Sequence, residues 1–301
     1  MRTFLNVIIG VVLFAAAAAA LHYLYQVIRE TSVREIHEAI KAIPRFRLLA
    51  AGFFVLCAYI TMTAYDMLGL RWARSSLSYS KIVPVSLIGD IFNANIGFSA
   101  LVGSAIKFRL YTRLNVPLGT IIRAIAAYTT AYWAGVSFLL VICRLVMFFA
   151  PNPSLPALHS PLATAFIIAA SFVSILYLAA CCRNAGLWSR FKLLSLVPRG
   201  GLGIKLFAVA ILEWLFIALA FFVLLPATVP SDFPSFSVGY LFSHVLGIAS
   251  QAPGGLGVFD SGWLLLNKNA DTASLLGSLA VFRLLFYVIP FCCAACFFLV
   301  W

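Results

Sequence analysis

The chain has 301 residues, 63% of them hydrophobic and 10% charged, with a mean hydropathy of +1.05 and a net charge of +12. That apolar excess excludes a soluble globular domain and describes a polytopic, all-α membrane protein. The positive charge does not point to nucleic acid, because Lys and Arg sit in short segments between apolar runs, where they set topology and meet anionic lipid.

The first apolar run, about 4–24, is too long for the h-region of a signal peptide and further runs follow it, so an uncleaved span is expected. Residues 25–47 mix charges, and Val33, Ile36, Ile40 and Ile43 recur at helical spacing, which predicts a short amphipathic helix on a membrane surface. A second span covers about 48–68. The next apolar stretch, about 82–106, is interrupted by Pro84, Gly89, Asp90, Asn93, Asn95, Gly97 and Gly103. It is expected to form a re-entrant element, with Asp90 capping a helix at the break and facing Asn93. Further spans are expected at about 119–149, 162–182 and 206–226, a second broken element at about 238–262, and a last span at about 273–301. The chain stops in Cys296-Phe297-Phe298-Leu299-Val300-Trp301 without a polar tail, as expected of a fragment or domain of a longer chain.

The second broken element is the most informative stretch. Ser250-Gln251-Ala252-Pro253-Gly254-Gly255-Leu256-Gly257-Val258-Phe259-Asp260 places a proline, three glycines and an acid inside a very apolar region. Proline removes a backbone donor and glycine loosens the backbone, so a helix breaks here. At membrane depth a break persists only where protein or a wet cavity satisfies the freed backbone groups, and transporters tend to place their sites at such breaks. Pro253, Gly254, Gly255 and Gly257 are therefore the expected helix-break residues. The alternative is a solvated loop between two short helices, and the apolar run Leu256-Gly257-Val258-Phe259 speaks against it.

Residues 1–149 read as span, span, re-entrant element, span, and residues 150–301 repeat that order. Each half crosses three times, so the second is inverted relative to the first, and the two broken elements would enter from opposite faces. Twelve basic residues fall on the side of the N-terminus (Arg2, Arg71, Arg74, Lys81, Lys107, Arg109, Arg113 and five in 183–205) and six on the other side. Both termini are then expected to be cytoplasmic. Five of the nine acids lie in the outer segments; the other four, Asp66, Asp90, Glu213 and Asp260, lie in or beside apolar runs.

A charge inside a span is costly and must find a partner or water. Glu213 and Arg283 either pair as a structural lock or line a polar path. Tyr287, four residues after Arg283, should share its face. Motifs for catalysis are missing: His37-Glu38 is followed by Lys41 where a zincin needs histidine, and Gly255-Leu256-Gly257 meets Asp260 where a third glycine belongs. No nucleophile, metal set or cofactor is nominated. The seven cysteines lie in or at the ends of apolar spans and read as buried thiols.

Four ordered segments carry a resemblance: Tyr65-Asp66-Met67-Leu68-Gly69-Leu70-Arg71-Trp72; Gly97 through Tyr111; Pro253 through Asp260; and Phe282-Arg283-Leu284-Leu285-Phe286-Tyr287. Together, over about 48–301, they resemble the membrane domain of the bacterial multiple peptide resistance factor family, the lysylphosphatidylglycerol synthase/flippases. The resemblance implies a bacterial inner-membrane flippase domain. Its implied task is to move lysyl- or alanyl-phosphatidylglycerol to the outer leaflet, conferring resistance to cationic antimicrobial peptides. It places the family's charged membrane positions, which would serve head-group binding and translocation, on Asp66, Arg109, Glu213, Asp260 and Arg283. It implies a phospholipid substrate and, as further partners, a synthase domain or subunit or a second copy of the chain. This chain carries no synthase domain and corresponds to only the first part of the family's membrane domain. The readings that remain open are a stand-alone transporter of another lipid, such as a polyprenyl lipid, and a non-catalytic subunit that docks a synthase.

Overall fold

The computed structural model describes residues 21–96, 99–149, 161–182, 196–226, 229 and 232–300. Most of the expected first span lies outside the described residues, as do residues 150–160. Among the described residues the chain is helical, with no strand. Residues 21–30 are helical (α1). Then follow α2 (Val33–Ala42), α3 (Arg45–Trp72), α4 (Tyr79–Ile96), α5 (Ser99–Arg113), α6 (Leu118–Phe149) and α7 (Pro161–Cys182). After these come α8 (Gly201–Phe222), α9 (Phe233–Ala249), α10 (Val258–Leu266), α11 (Thr272–Arg283) and α12 (Ile289–Val300). Among the described residues five helices are long and apolar enough to cross a membrane: Arg45–Trp72, Leu118–Phe149, Thr164–Cys182, Gly201–Phe222 and Thr272–Phe297.

Local sequence sets the boundaries. Ser32 accepts from the Arg34 amide while the Glu35 carboxylate accepts from the Ser32 amide, a capping box that starts α2. Pro44 then separates α2 from α3. Asp232 caps α9 by accepting from the Ser235 amide at 2.8 Å, and Asp271 caps α11 through the Ser274 amide at 2.9 Å. The amphipathic pattern of α2 is realised as packing: its Ala39 and Ile40 lie against Gly277 of α11.

On α3 the apolar residues divide into two stripes. Phe46, Leu49, Phe53, Leu56 and Ile60, spaced by three and four, are more than half exposed, as a lipid-facing stripe must be. Ala51, Val55, Ala58, Tyr59 and Met62 are buried, and the helix packs closely along α8. The fully buried Phe221 of α8 centres an aromatic cluster with Phe236 and Tyr240 of α9, Phe259 and Trp263 of α10 and Phe282 of α11; its ring lies 4.9 Å from that of Phe282.

Two helical hairpins fill the space between the long helices. In the first, α4 and α5 pack against each other; Gly89 faces Lys107 and Gly103 faces Asn93, pairs that fit only antiparallel arms. Lys107 lies directly over the bare Cα of Gly89, and a Cβ there would sit 2.5 Å from the lysine Cγ. In the second hairpin, α9 runs back along α10, with Ser243 opposite Gly262 and Gly247 opposite Phe259. The two hairpins extend beyond the expected limits, to Tyr79–Arg113 and Phe233–Leu266. Across the bundle, α6 packs on α9 and α12 packs on α4.

The intramembrane cavity as candidate functional site

The tip of the second hairpin is the break expected at Pro253-Gly254-Gly255. The helix α9 stops at Ala249, Pro253–Gly255 form one 3-10 turn, and α10 starts at Val258. Gly254, Gly255 and Gly257 hold φ of 57°, 63° and 81°, a left-handed backbone that disfavours any side chain. The tip amides already have acceptors: Gly255 donates to Ala252 O, Leu256 to Pro253 O, and Gly257 to Asp260 Oδ2 at 2.9 Å. Asp260 thus closes the start of its own helix.

Asp260 also receives Arg283 in a bidentate pair, Nε to Oδ1 at 2.9 Å and Nη2 to Oδ2 at 2.8 Å. The remaining arm of the guanidinium, Nη1, donates to Gly254 O at 3.1 Å. One arginine therefore holds the tip by both its backbone and its acid. Tyr287 shares its face as expected, with the guanidinium 5.5 Å from the tyrosine ring centre. The Glu213–Arg283 lock entertained from the sequence does not form, because Arg283 has a nearer and geometrically matched acid in Asp260.

A second charged cluster lies at the first hairpin. Lys107 Nζ stands 2.7 Å from Asp66 Oδ2 on α3 and 2.7 Å from Asp90 Oδ1 on α4. It lies 3.3 Å from Tyr128 Oη on α6. Asp66 and Lys107 are each 1% exposed. Asp90 does not cap a helix: it lies inside α4, where Ser86 donates to its Oδ2 at 3.0 Å.

Between the hairpins lies a cavity of about 690 Å³. The first hairpin contributes Asp90, Asn93, Gly103, Ser104 and Lys107 to its wall, and the second contributes His244, Gln251, Gly254, Gly255 and Phe259. Tyr65, Tyr128, Tyr132, Glu213 and Tyr287 complete the polar and aromatic lining. Ile122 and Trp133 of α6, 48% and 37% exposed on its outer face, also line it. The wall is thus continuous with the apolar exterior along α6.

Of the five charged residues expected to act together, Glu213 alone lines the cavity. Asp66 stands behind Lys107, the Asp260–Arg283 pair stands behind the hairpin tip, and Arg109 is exposed and outside the lining. Sequence reasoning missed Lys107, which it counted only as a topology signal. The signal was present: Asp66 and Asp90 lie in apolar segments that hold no other base able to reach both. Glu213 is 4% exposed and has no ion pair among the described residues. Tyr65 of α3 lines the cavity with it, and Glu213 Oε2 and Tyr65 Oη are both buried without a hydrogen-bond partner.

No family model matches the chain. Over 296 residues it is 30% identical to Uncharacterized protein slr0712 of Synechocystis sp., an alignment covering 94% of this chain and 87% of that protein. This chain belongs to the slr0712 family. It is also similar to Inner membrane protein YbhN of Escherichia coli, at 25% identity over 92% of this chain and 86% of that protein. A third relative is Phosphatidylglycerol lysyltransferase of Staphylococcus xylosus, at 21% identity over 96% of this chain; the match takes in 33% of the lysyltransferase. The slr0712-family chain is thus a helical membrane protein that corresponds to about a third of the lysyltransferase's length.

Proposed function

We propose that this slr0712-family chain is a lipid transporter, moving an amphiphile's polar head group through the cavity while its acyl chains stay in the bilayer. The observation that carries this reading is the cavity itself. At about 690 Å³ it lies within the usual range for a small-molecule site. Its inner wall bears Asp90, Lys107, Glu213 and His244, and its outer edge at Ile122 and Trp133 is lipid-facing. Such a boundary suits a molecule with one charged and one apolar end. The similarity to phosphatidylglycerol lysyltransferases favours aminoacyl-phosphatidylglycerol as cargo, carried from the inner to the outer leaflet.

The architecture supports an inverted-repeat plan for this task. Residues 1–149 and 150–301 would each supply a hairpin, and exchanging equivalent elements converts the α6–α9 contact into the α12–α4 contact. Both hairpins line the same cavity, so rocking one half against the other would expose the head group to alternate faces. The salt-bridged groups Asp66, Asp260 and Arg283 act here as supports. Arg283 holds the second tip, and Asp66 holds Lys107 in the wall. Glu213 and Asp90 are the carboxylates that meet the head group.

A second reading is favoured by the lengths of the relatives. The alignments span 87% of slr0712 and 86% of YbhN, so proteins of this size recur without the rest of the lysyltransferase, and the cargo would then be a different lipid. Reconstitution separates the readings. Purified protein in proteoliposomes loaded with lysyl-phosphatidylglycerol should increase labelling of the lipid amine by a membrane-impermeant, amine-reactive probe. No increase there, together with movement of a fluorescent polyprenyl phosphate, establishes the second reading. Movement of neither leaves only a docking subunit.

A further inference from the structure

The described residues contain four carboxylates in the membrane-embedded part of the fold, and three are matched by a cation at 2.7–2.9 Å: Asp66 and Asp90 by Lys107, and Asp260 by Arg283. Glu213 is the exception. It is buried, its Oε2 has no partner, and it faces the cavity. An ionised carboxylate in that position without a counter-charge is strongly disfavoured by its lost hydration.

The groups around Glu213 decide what neutralises it. From α3 come Tyr65 and Tyr59, from α6 Tyr132, from α9 Tyr240 and His244, from α4 Asp90, and from α5 Lys107. The one cation among them, Lys107, is shared between two other acids. No cluster of three His, Cys, Asp or Glu able to hold a metal exists among the described residues. What remains is a proton, or an ammonium group entering through the cavity.

We propose that Glu213 is a proton-exchange site: it carries a proton when the cavity is empty and releases it when a primary ammonium head group takes its place. The exchange balances. The neutral acid loses its O–H proton to water in the cavity, and the resulting carboxylate accepts N–H bonds from the ammonium, so one positive charge enters as one leaves. This names the coupling ion of the proposed transport as the proton and rests on that reading for the identity of the amine. Tyr65, whose hydroxyl is also unpartnered, is placed to donate to the carboxylate once it ionises.

Infrared difference spectroscopy on the full chain tests this. The spectrum of the wild type minus Glu213→Gln, at neutral pH in lipid nanodiscs, should contain the C=O stretch of a protonated acid. Adding stearylammonium should convert that band to carboxylate, whereas phosphatidylglycerol alone should not. If Glu213→Gln fails to fold, Glu213→Asp serves instead, since it shifts the band rather than removing it. A carboxylate band in the empty protein overturns the proposal, and so does a protonated band that stearylammonium leaves unchanged. The band and its conversion in a protein that moves no lipid would retain the exchange site and overturn the transport reading.

Discussion

Lys107 shows how one side chain can decide a fold locally. Its ammonium holds α5 to α3 and α4 at once, and the bare Cα of Gly89 makes room for its stem. Removing it leaves two acids buried without a counter-charge. Lys107→Met should therefore lower stability by about 3–5 kcal/mol, read as a fall in the detergent unfolding temperature. The triple variant Asp66→Asn, Asp90→Asn, Lys107→Met should recover much of that loss. Arg283 makes a parallel forecast. Arg283→Leu alone should destabilise by a similar amount, and Asp260→Asn added to it should restore protein level. The double variant still lacks the contact from Nη1 to Gly254 O, so transport should stay low. Full transport in the double variant would show that the tip needs no such anchor. The charges at 66, 213, 260 and 283 were legible from the sequence as costly residues in apolar runs. Their partners were not, because pairing depends on which helices become neighbours. For Arg283 the sequence offered only Glu213 as a partner, and the structure pairs it with Asp260 of α10 instead.

The hairpins are the elements whose existence the sequence carried best. Proline and glycine inside apolar runs announce a break by local backbone chemistry alone, and a 3-10 turn at Pro253–Gly255 separates α9 from α10. The first hairpin was harder to delimit. Its arms are ordinary helices on either side of Ile96 and Ser99, and Pro84 is absorbed within α4. Gly254 tests the second break directly. It holds a left-handed φ, and a Cβ there would stand 3.4 Å from the Tyr287 ring. Gly254→Leu with Gly255→Leu should add about 1–2 kcal/mol of backbone strain per site. The variant should insert and express near the wild-type level yet lose lipid movement in the proteoliposome assay. Unchanged movement would mean that the tip shape is incidental to transport.

For the whole molecule, the five long apolar helices among the described residues follow from composition and run length. Orientation rests on the distribution of Lys and Arg. It predicts that the α3–α4 connection faces the cytoplasm and the α10–α11 connection faces outward. Single cysteines at Ser76 and Asn269, both exposed, in a background without native cysteine, should be labelled from opposite sides of intact cells. Labelling from one side would remove the inverted arrangement and with it the alternation of the two hairpins.

The last long helix carries a single turn of π-helix, Leu284–Val288, immediately after Arg283. Tyr59 of α3 donates its hydroxyl to the Phe286 carbonyl there at 2.7 Å. A π turn is an α-helix with one residue too many, so it records a one-residue insertion that the helix has swallowed without unwinding. The insertion sets the phase between two parts of one rod: Arg283 and Tyr287 keep their aim at the hairpin tip, while α12 is turned by about 100° relative to an uninterrupted helix. Deleting one residue from 284–288 would let the rod wind evenly again. The tip would keep its anchor, but Phe291 would swing away from Phe92, whose ring it now meets at 5.1 Å. In a lineage of such chains, lengths would drift in the loops, while this turn would gain or lose a residue only together with the helix faces beyond it.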